Sequence, residues 1–418
     1  MDIIIGAGIS GLSYAMFKQH GDYLILEKDH TIGGYCRTTK RNGHVWDYSG
    51  HFFHFQNPEI KKALMADMDP ASLVCVNKCT HIKYKDRLID FPFQKNIHQL
   101  SQEEFIDCLV DLFESDNSST YATFKEMLYA KFGKSIANKF LIPYNEKLYA
   151  TDLDKLDHDA MGRFFPYAEK IEIIKNFRHA HNESYNGFFV YPKGGAITYI
   201  NQIASHLESN SIRIDSHVIK IDPEAKNIYL DNGDTLTYDR IISSIPFPTL
   251  LDLTSTEYDH ELYSWNQVLV FNLGFDTKGP DIHNHWIYFP EDKYCFYRVG
   301  FYDNILNSDR SSLYVELGFS KNDHIQPDKW LPKVISELKT AGIINHNQQL
   351  VDHEAIVMNP AYVHISNDVR KDIALKKQYL ESKDIYSIGR YGSWTYCSIE
   401  DNIIEARQLA CRLNEIKP

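Results

Sequence analysis

Apolar positions change their period several times along the chain, and each change marks a new kind of element. Residues 2–5 (Asp-Ile-Ile-Ile) are a short apolar run that stops at Gly6. A helical spacing follows and predicts a helix from Ser10 to Gln19. A second apolar run, Tyr23–Leu26, ends at Glu27, which completes a βαβ opening. Between residues 100 and 180 the period is helical. Ser101 with Glu104, and Thr123 with Glu126, have capping-box spacing. Apolar residues follow at helical intervals (Phe105, Cys108, Leu109, Leu112; then Met127, Leu128, Phe132), and Gly133 reads as a stop. From 186 to 246 the pattern returns to α/β. It gives a strand at Phe188–Tyr191, Gly194-Gly195 and a helix reaching Leu207. Strands follow at Val218–Ile221 and Ile228–Leu230, then the turn Asp231–Asp234 and the run Arg240–Ile245 ended by Pro246. Residues 265–320 alternate aromatic and β-branched residues, as an antiparallel sheet does. Ile385–Ile388 reads as a strand and Asn402–Leu413 as a helix. The expected fold is α/β. A discontinuous Rossmann-like nucleotide-binding domain takes residues 1–75, 185–255 and 380–418. A helical domain (96–184) and an antiparallel sheet substrate domain (76–95 with 256–379) are inserted into it.

Composition narrows the class. With 418 residues the chain has room for two or three domains and a sizeable core. The net charge of −12 argues against nucleic acid as a partner, because phosphate binding is driven by Lys and Arg. It leaves room for a local basic pocket. The seven cysteines (Cys36, Cys75, Cys79, Cys108, Cys295, Cys397, Cys411) are scattered and odd in number, and they contain no CxxC pair. Neither a disulfide framework nor a thiolate metal site is expected, and reduced thiols fit a cytoplasmic location. No apolar run reaches the ~18 residues of a membrane span, and no basic leader precedes the first strand.

The clearest chemistry is at the start. Gly6-Ala7-Gly8-Ile9-Ser10-Gly11 fits G-x-G-x-x-G, and it follows a strand and opens a helix, as a dinucleotide site requires. The glycines allow a tight turn and close backbone approach, and the helix start offers unpaired N–H groups. Glu27 ends the second strand, where an acidic residue accepts hydrogen bonds from a ribose hydroxyl. Thr31 to Thr38, with Gly33, Gly34 and Arg37, resembles the Gly-Gly stretch after the ribose-binding Glu in the amine-oxidase-like FAD superfamily. Ser387-Ile388-Gly389-Arg390 matches that superfamily's C-terminal Gly-Arg against the pyrophosphate. A helix beginning near Asn402 would aim its start at the flavin. FAD is therefore the expected cofactor. Gly6, Gly8, Ser10, Gly11, Glu27, Lys28, Gly33, Gly34, Arg37, Gly50, His51, Val218, Gly389, Arg390, Asp401 and Asn402 are its expected neighbours.

Within that superfamily the chain resembles UDP-galactopyranose mutases, particularly the eukaryotic-type branch, over nearly its whole length. The marks are Gly50-His51-Phe52-Phe53-His54; Phe91 to Asn96; Pro143 to Tyr149; Trp286 to Asp292; Phe296-Tyr297-Arg298; and Gly389 to Tyr396. The resemblance implies interconversion of the pyranose and furanose forms of a nucleotide sugar with reduced FAD, NADPH or NADH being the reductant. Flavin N5 displaces the nucleotide diphosphate from the anomeric carbon, and the sugar reopens and recloses before the diphosphate returns. It implies that Arg298 holds the diphosphate, with Tyr362 and Tyr396 donating to phosphate oxygens. It places Phe91, Gln94, Asn145, Tyr149, Trp286 and Tyr288 around the nucleotide. His51 and His54 sit in the flavin-facing loop, where His51 shapes the site beside N5. The pair His283/His285 is strand alternation, and no metal is expected.

Departures from the family pattern gather at the diphosphate and the sugar. No arginine stands near Phe189–Tyr191, where the second pyrophosphate arginine is expected, and Lys193 or Arg178 would have to replace it. Phe91 replaces a Tyr, Tyr149 a Trp, and Glu400 an Asn that touches the sugar end. The sugar and the choice of UDP or dTDP are left open, in a setting of polysaccharide or lipopolysaccharide assembly. Homo-oligomerisation is left open as well. Two other functions are weighed against the mutase. An amine-oxidase-type FAD oxidoreductase should have a cavity without arginine and form peroxide. A non-catalytic nucleotide-sugar or flavin binder should take FAD without turning over.

Overall fold

The computed structural model describes residues 1–18, 21–115, 120–178, 182, 187–208 and 210–414. A parallel sheet runs in the order Ile385–Ser387, Arg240–Ser243, Asp2–Ile5, Tyr23–Leu26, Ile212–Arg213. Its strands come from both ends and the middle of the chain. Each is a short, almost wholly apolar run, because helices cover both faces and leave no polar side. The first helix, Ile9–Phe17, packs against the C-terminal helix Ile399–Leu413 and against Ile197–Ser205. It starts one residue before its predicted start, and the predicted end at Gln19 lies outside the described residues. Lys18 donates to the buried Asp2 carboxylate at 2.8 Å and closes that end.

The second large sheet runs Leu350–Met358, Asn266–Phe275, Ser312–Ser320, Arg298–Phe301, Trp286–Tyr288, Thr80–Tyr84, Arg87–Asp90. It is antiparallel except at one seam, where Trp286–Tyr288 runs parallel to Thr80–Tyr84. Alternation along a strand reports which face is buried, not the direction of its neighbour, so the parallel seam was invisible in the sequence. Phe188–Pro192 joins neither sheet and pairs with Leu73–Asn77.

The chain from Gln102 to Asn176 is mainly helical. Ser101 caps Gln102–Glu114 as expected, but Glu104 turns its carboxylate to Tyr84, Lys85 and the Ser101 hydroxyl rather than back to the backbone. Thr123 and Glu126 form the full capping box of Phe124–Ile136. Gly133 (φ 75°, ψ 167°) breaks that helix, yet the chain re-enters helix at once. A π-helical turn, Ala137–Leu141, then leads into Ile142–Tyr149, with Pro143 in the first turn supplying no N–H. Phe140, Leu141, Tyr144, Asn145 and Leu148, spaced as one face of a helix, all line one cavity. No helix of the described residues is long and apolar enough to cross a membrane.

Candidate active site

A cavity of about 910 Å³ runs from the Gly-rich turn to the helix Ile142–Tyr149 and the strands Trp286–Tyr288 and Arg298–Phe301. That lies at the upper end of the ~300–1,000 Å³ usual for small-molecule sites.

One end fits a flavin dinucleotide. Gly11 packs so tightly under the turn that a Cβ would lie 2.1 Å from the Gly6 carbonyl oxygen. No side chain caps the helix Ile9–Phe17, and Gly8, Ile9 and Ser10 line the cavity, so the first N–H groups remain available to an anion. Glu27 is 6% exposed; its carboxylate accepts the Ala7 N–H at 2.8 Å and the Asp29 N–H at 3.1 Å. Both oxygens keep lone pairs for ribose hydroxyls. Across the turn, Gly389 has φ 85°, and a Cβ there would meet Ser10 Oγ at 2.3 Å. Asn402 Oδ1 accepts from Ser10 Oγ at 2.9 Å and from the Arg390 N–H at 2.7 Å, which locks the two turns together. Glu405 accepts the Gly389 N–H at 2.8 Å from behind. Lys28, Gly33, Gly34, Gly50 and Val218 also line the wall.

The middle of the cavity is cationic and aromatic. The Arg390 guanidinium lies over Tyr396 (4.7 Å) and Tyr362 (5.1 Å), whose rings stack 5.8 Å apart. It donates to the carbonyls of Cys397 (3.3 Å) and Ala361 (3.5 Å), and its buried Nε has no partner. No carboxylate pairs with it among the described residues. Arg298 is tied differently. Its Nε and Nη2 bind the two oxygens of Glu316 at 2.6 and 2.7 Å. His51 sits half-buried between these groups, its Nδ1 buried and unpartnered; desolvation, then Arg390, pushes its pKa down to about 4, so it is neutral at pH 7. Burial also raises the phenols of Tyr362 and Tyr396, which stay protonated donors.

At the far end stand Phe91, Asn145, Trp286 and Tyr288. Tyr288 meets Phe91 at 5.1 Å and accepts the Trp286 indole N–H at 2.8 Å. Asn145 donates from Nδ2 to the Leu141 carbonyl at 2.6 Å, which fixes the amide and leaves a buried, unpartnered Oδ1. Gln94 and Tyr149 lie behind this wall. Gln94 is 0% exposed and donates to the Pro166 carbonyl, while Tyr149 packs on Tyr362 at 5.8 Å.

Several residues sit elsewhere than the sequence placed them. Arg37 lines the cavity but spends its fork on its own loop, donating to Asp29 (2.7 Å), the Ile32 carbonyl (3.2 Å) and the Thr31 carbonyl (2.5 Å). The C-terminal helix begins at Ile399 rather than near Asn402. Asp401 therefore closes the capping box with Ser398 and binds Arg163 at 2.6 Å, off the main wall. Glu400 accepts the N–H groups of Gln56 (3.0 Å) and Asn57 (2.8 Å) and shapes that loop, again off the main wall. Lys193 and Arg178 are exposed and away from the cavity. His285 accepts the Cys79 N–H at 2.9 Å in the sheet.

Two residues of the site escaped the sequence reading. Arg163 lines the mouth beside Phe164, whose ring meets Tyr396 at 5.1 Å. Its signal was an arginine inside the apolar run Met161 to Phe165. Glu316 lies behind Arg298; its signal was a carboxylate on the buried face of a strand, in line with Ser312 and Tyr314.

The family model of flavin containing amine oxidoreductases matches residues 9–367 of the chain. Among solved structures, the chain is similar to reduced UDP-galactopyranose mutase, with TM-score 0.91 and 24% identity over 99% of this chain and 93% of that one. It is also similar to a protein described as a protoporphyrinogen oxidase from Exiguobacterium sp. 255-15, with TM-score 0.79 and 16% identity over 99% and 98%. A CLA-producing fatty acid isomerase from P. acnes gives TM-score 0.68 and 13% identity over 98% of each chain. At these identities the likeness speaks for the fold.

Proposed function

We propose a function from the premise that the chain belongs to the flavin containing amine oxidoreductase family and is a flavin enzyme. The reading is an FAD-dependent mutase, an isomerase that interconverts the pyranose and furanose forms of a UDP- or dTDP-sugar. The affiliation with the eukaryotic-type branch and the division into FAD-binding, helical and sheet domains belong to the same proposal. One observation carries it: a guanidinium paired with no carboxylate among the described residues, Arg390, its Nε buried and unpartnered, stands in the cavity wall near the fork of Arg298. The pyrophosphate of FAD can answer the guanidinium of the Gly-Arg turn, but an apolar or aminic substrate brings no second anion to a wall with two arginines. A diphosphate supplies the anion.

Bound at the Gly-rich end, reduced FAD would supply the nucleophile for the anomeric carbon, with NADPH or NADH as the hydride source. The protein's part is binding and electrostatics. Glu27 accepts from the ribose, and Asn402 holds the two turns against the pyrophosphate. Arg298 and Arg390 take the substrate's diphosphate, and Arg163 at the mouth gives up Asp401 to contribute the second outer fork. Tyr362 and Tyr396 donate to phosphate oxygens that gain charge as the bond to the sugar breaks. The fixed Oδ1 of Asn145 accepts a hydrogen bond from the pyrimidine, with Phe91, Trp286 and Tyr288 around it. His51 is a neutral imidazole at pH 7 and shapes the loop beside the flavin.

The test is to incubate dithionite-reduced protein with a panel of UDP- and dTDP-sugars and separate the products by chromatography. Pyranose–furanose exchange is expected for at least one. Absence of exchange for all, with peroxide formed from amines by the oxidised protein, would replace the mutase by an oxidase.

A further inference from the structure

Holding a diphosphate on Arg298 requires something that holds Arg298. Glu316 does so from the neighbouring strand, at the position directly across the ladder. Its carboxylate is 1% exposed and grips Arg298 by two bonds, Nε at 2.6 Å and Nη2 at 2.7 Å. Ser49 Oγ donates to the same carboxylate from the loop that continues into Gly50 and His51. A guanidinium has two edges that can each grip an anion, Nε/Nη2 and Nη1/Nη2. Glu316 fills the first. With that edge pinned, the planar group cannot swing, and the second edge is what Arg298 can offer to the cavity it lines.

We propose that Glu316 is the positioning residue of the diphosphate site: it occupies the Nε/Nη2 edge of Arg298 and so aims the Nη1/Nη2 edge at the substrate's diphosphate. This rests on the nucleotide-sugar reading above. Without Glu316 the guanidinium keeps its charge but loses its direction, so diphosphate binding suffers while nucleoside binding does not.

The experiment compares FAD-loaded wild type, Glu316→Gln, Arg298→Lys and the double variant by calorimetric titration with UDP, dTDP, uridine and inorganic pyrophosphate. Glu316→Gln should weaken UDP, dTDP and pyrophosphate about tenfold, leave uridine within about twofold, and add less than about twofold on top of Arg298→Lys. Glu316→Asp, which keeps the charge one methylene further back, should fall between wild type and Glu316→Gln. It carries the comparison if the glutamine variant does not fold around FAD. Equal weakening of uridine and UDP would reduce Glu316 to a structural residue and overturn the proposal. Full additivity with Arg298→Lys, or diphosphate binding unchanged or tightened, would overturn it too. A wild type that binds pyrophosphate but no nucleoside diphosphate removes the nucleotide-sugar reading while the Glu316 comparison proceeds on pyrophosphate. A wild type that binds neither removes both.

Discussion

Arg298 and Glu316 form a pair whose halves are not equally removable. Arg298→Ala should abolish turnover and leave FAD bound, since no flavin-end residue depends on it. It should also destabilise the protein by ~3–5 kcal/mol, because a buried carboxylate loses its cation. Urea unfolding should show most of that loss restored in Arg298→Ala/Glu316→Gln; an equally unstable double variant would mean that the cavity left behind, not the charge, sets the cost. Gly389 is a purely geometric case. Alanine there must adopt φ 85° and place a Cβ 2.3 Å from Ser10 Oγ. Strain of ~1–2 kcal/mol alone corresponds to about tenfold weaker FAD, and the overlap adds to it. Flavin retention through a desalting column reads the effect directly. Asp47 is fully buried among donors from Thr38, Tyr191 and Ala196, and burial raises its pKa from 3.8 to about 6. A raised carboxylate stabilises the fold below the unfolded pKa and loses that stabilisation as pH rises through about 6. Asp47→Asn does not titrate, so its stability should gain on wild type by up to ~3 kcal/mol between pH 4 and pH 8. A stability difference that does not move with pH would show that the three donors keep the carboxylate ionised.

The elements that build the site are irregular where the sequence was hardest to read. On the helix after the π-helical turn, Asn145 joins the cavity wall while Tyr149 lies behind it, as does Gln94 on the separate segment Phe93–Lys95. Their places along the chain gave no sign of which of them would face the cavity. Lys147, on the same helix, donates to the carbonyls of Phe289, Glu291, Tyr294 and Phe296 at 2.7–3.1 Å. It therefore pins the segment that leads into Arg298. Lys147→Met should free that segment and raise KM for the nucleotide sugar by about tenfold, with FAD affinity unchanged, since removing hydrogen bonds from a charged donor releases ~1.5–3 kcal/mol. Unchanged steady-state kinetics in this variant would disconnect the segment from the site. The C-terminal helix teaches the same lesson from the other side. Ser398-Ile399-Glu400-Asp401 contains a capping signature that moves its start to Ile399 and removes Asp401 from the cofactor.

Across the whole molecule, burial holds four histidines, His51, His54, His285 and His364, down to about 4. Unfolded, they would titrate near 6.5. The stability they contribute is therefore present above about pH 6.5 and lost as pH falls from there toward 4, with Asp47 opposing part of the loss. The melting temperature should decline as pH falls below about 6.5; a flat profile from there down to pH 5 would contradict the neutral state of these rings. The sequence by itself determined the elements whose causes are local. The Gly-rich turn after an apolar strand, the acidic residue sixteen positions past Gly11, the capping box of Thr123 and Glu126 and the sheet alternation all depend on neighbours along the chain. The flavin family was legible for that reason. Only the tertiary structure decided what each charge meets. Arg37 and Arg390 look alike as arginines after glycines. One is consumed by its own loop, and the other is left as a half-buried cation between Tyr396 of its own segment and Tyr362 from a distant one. Likewise Arg298 and Glu316 are eighteen residues apart in sequence and directly opposed in the sheet. Electrostatic interaction depends on distance and burial, and neither can be read along the chain once it folds back on itself.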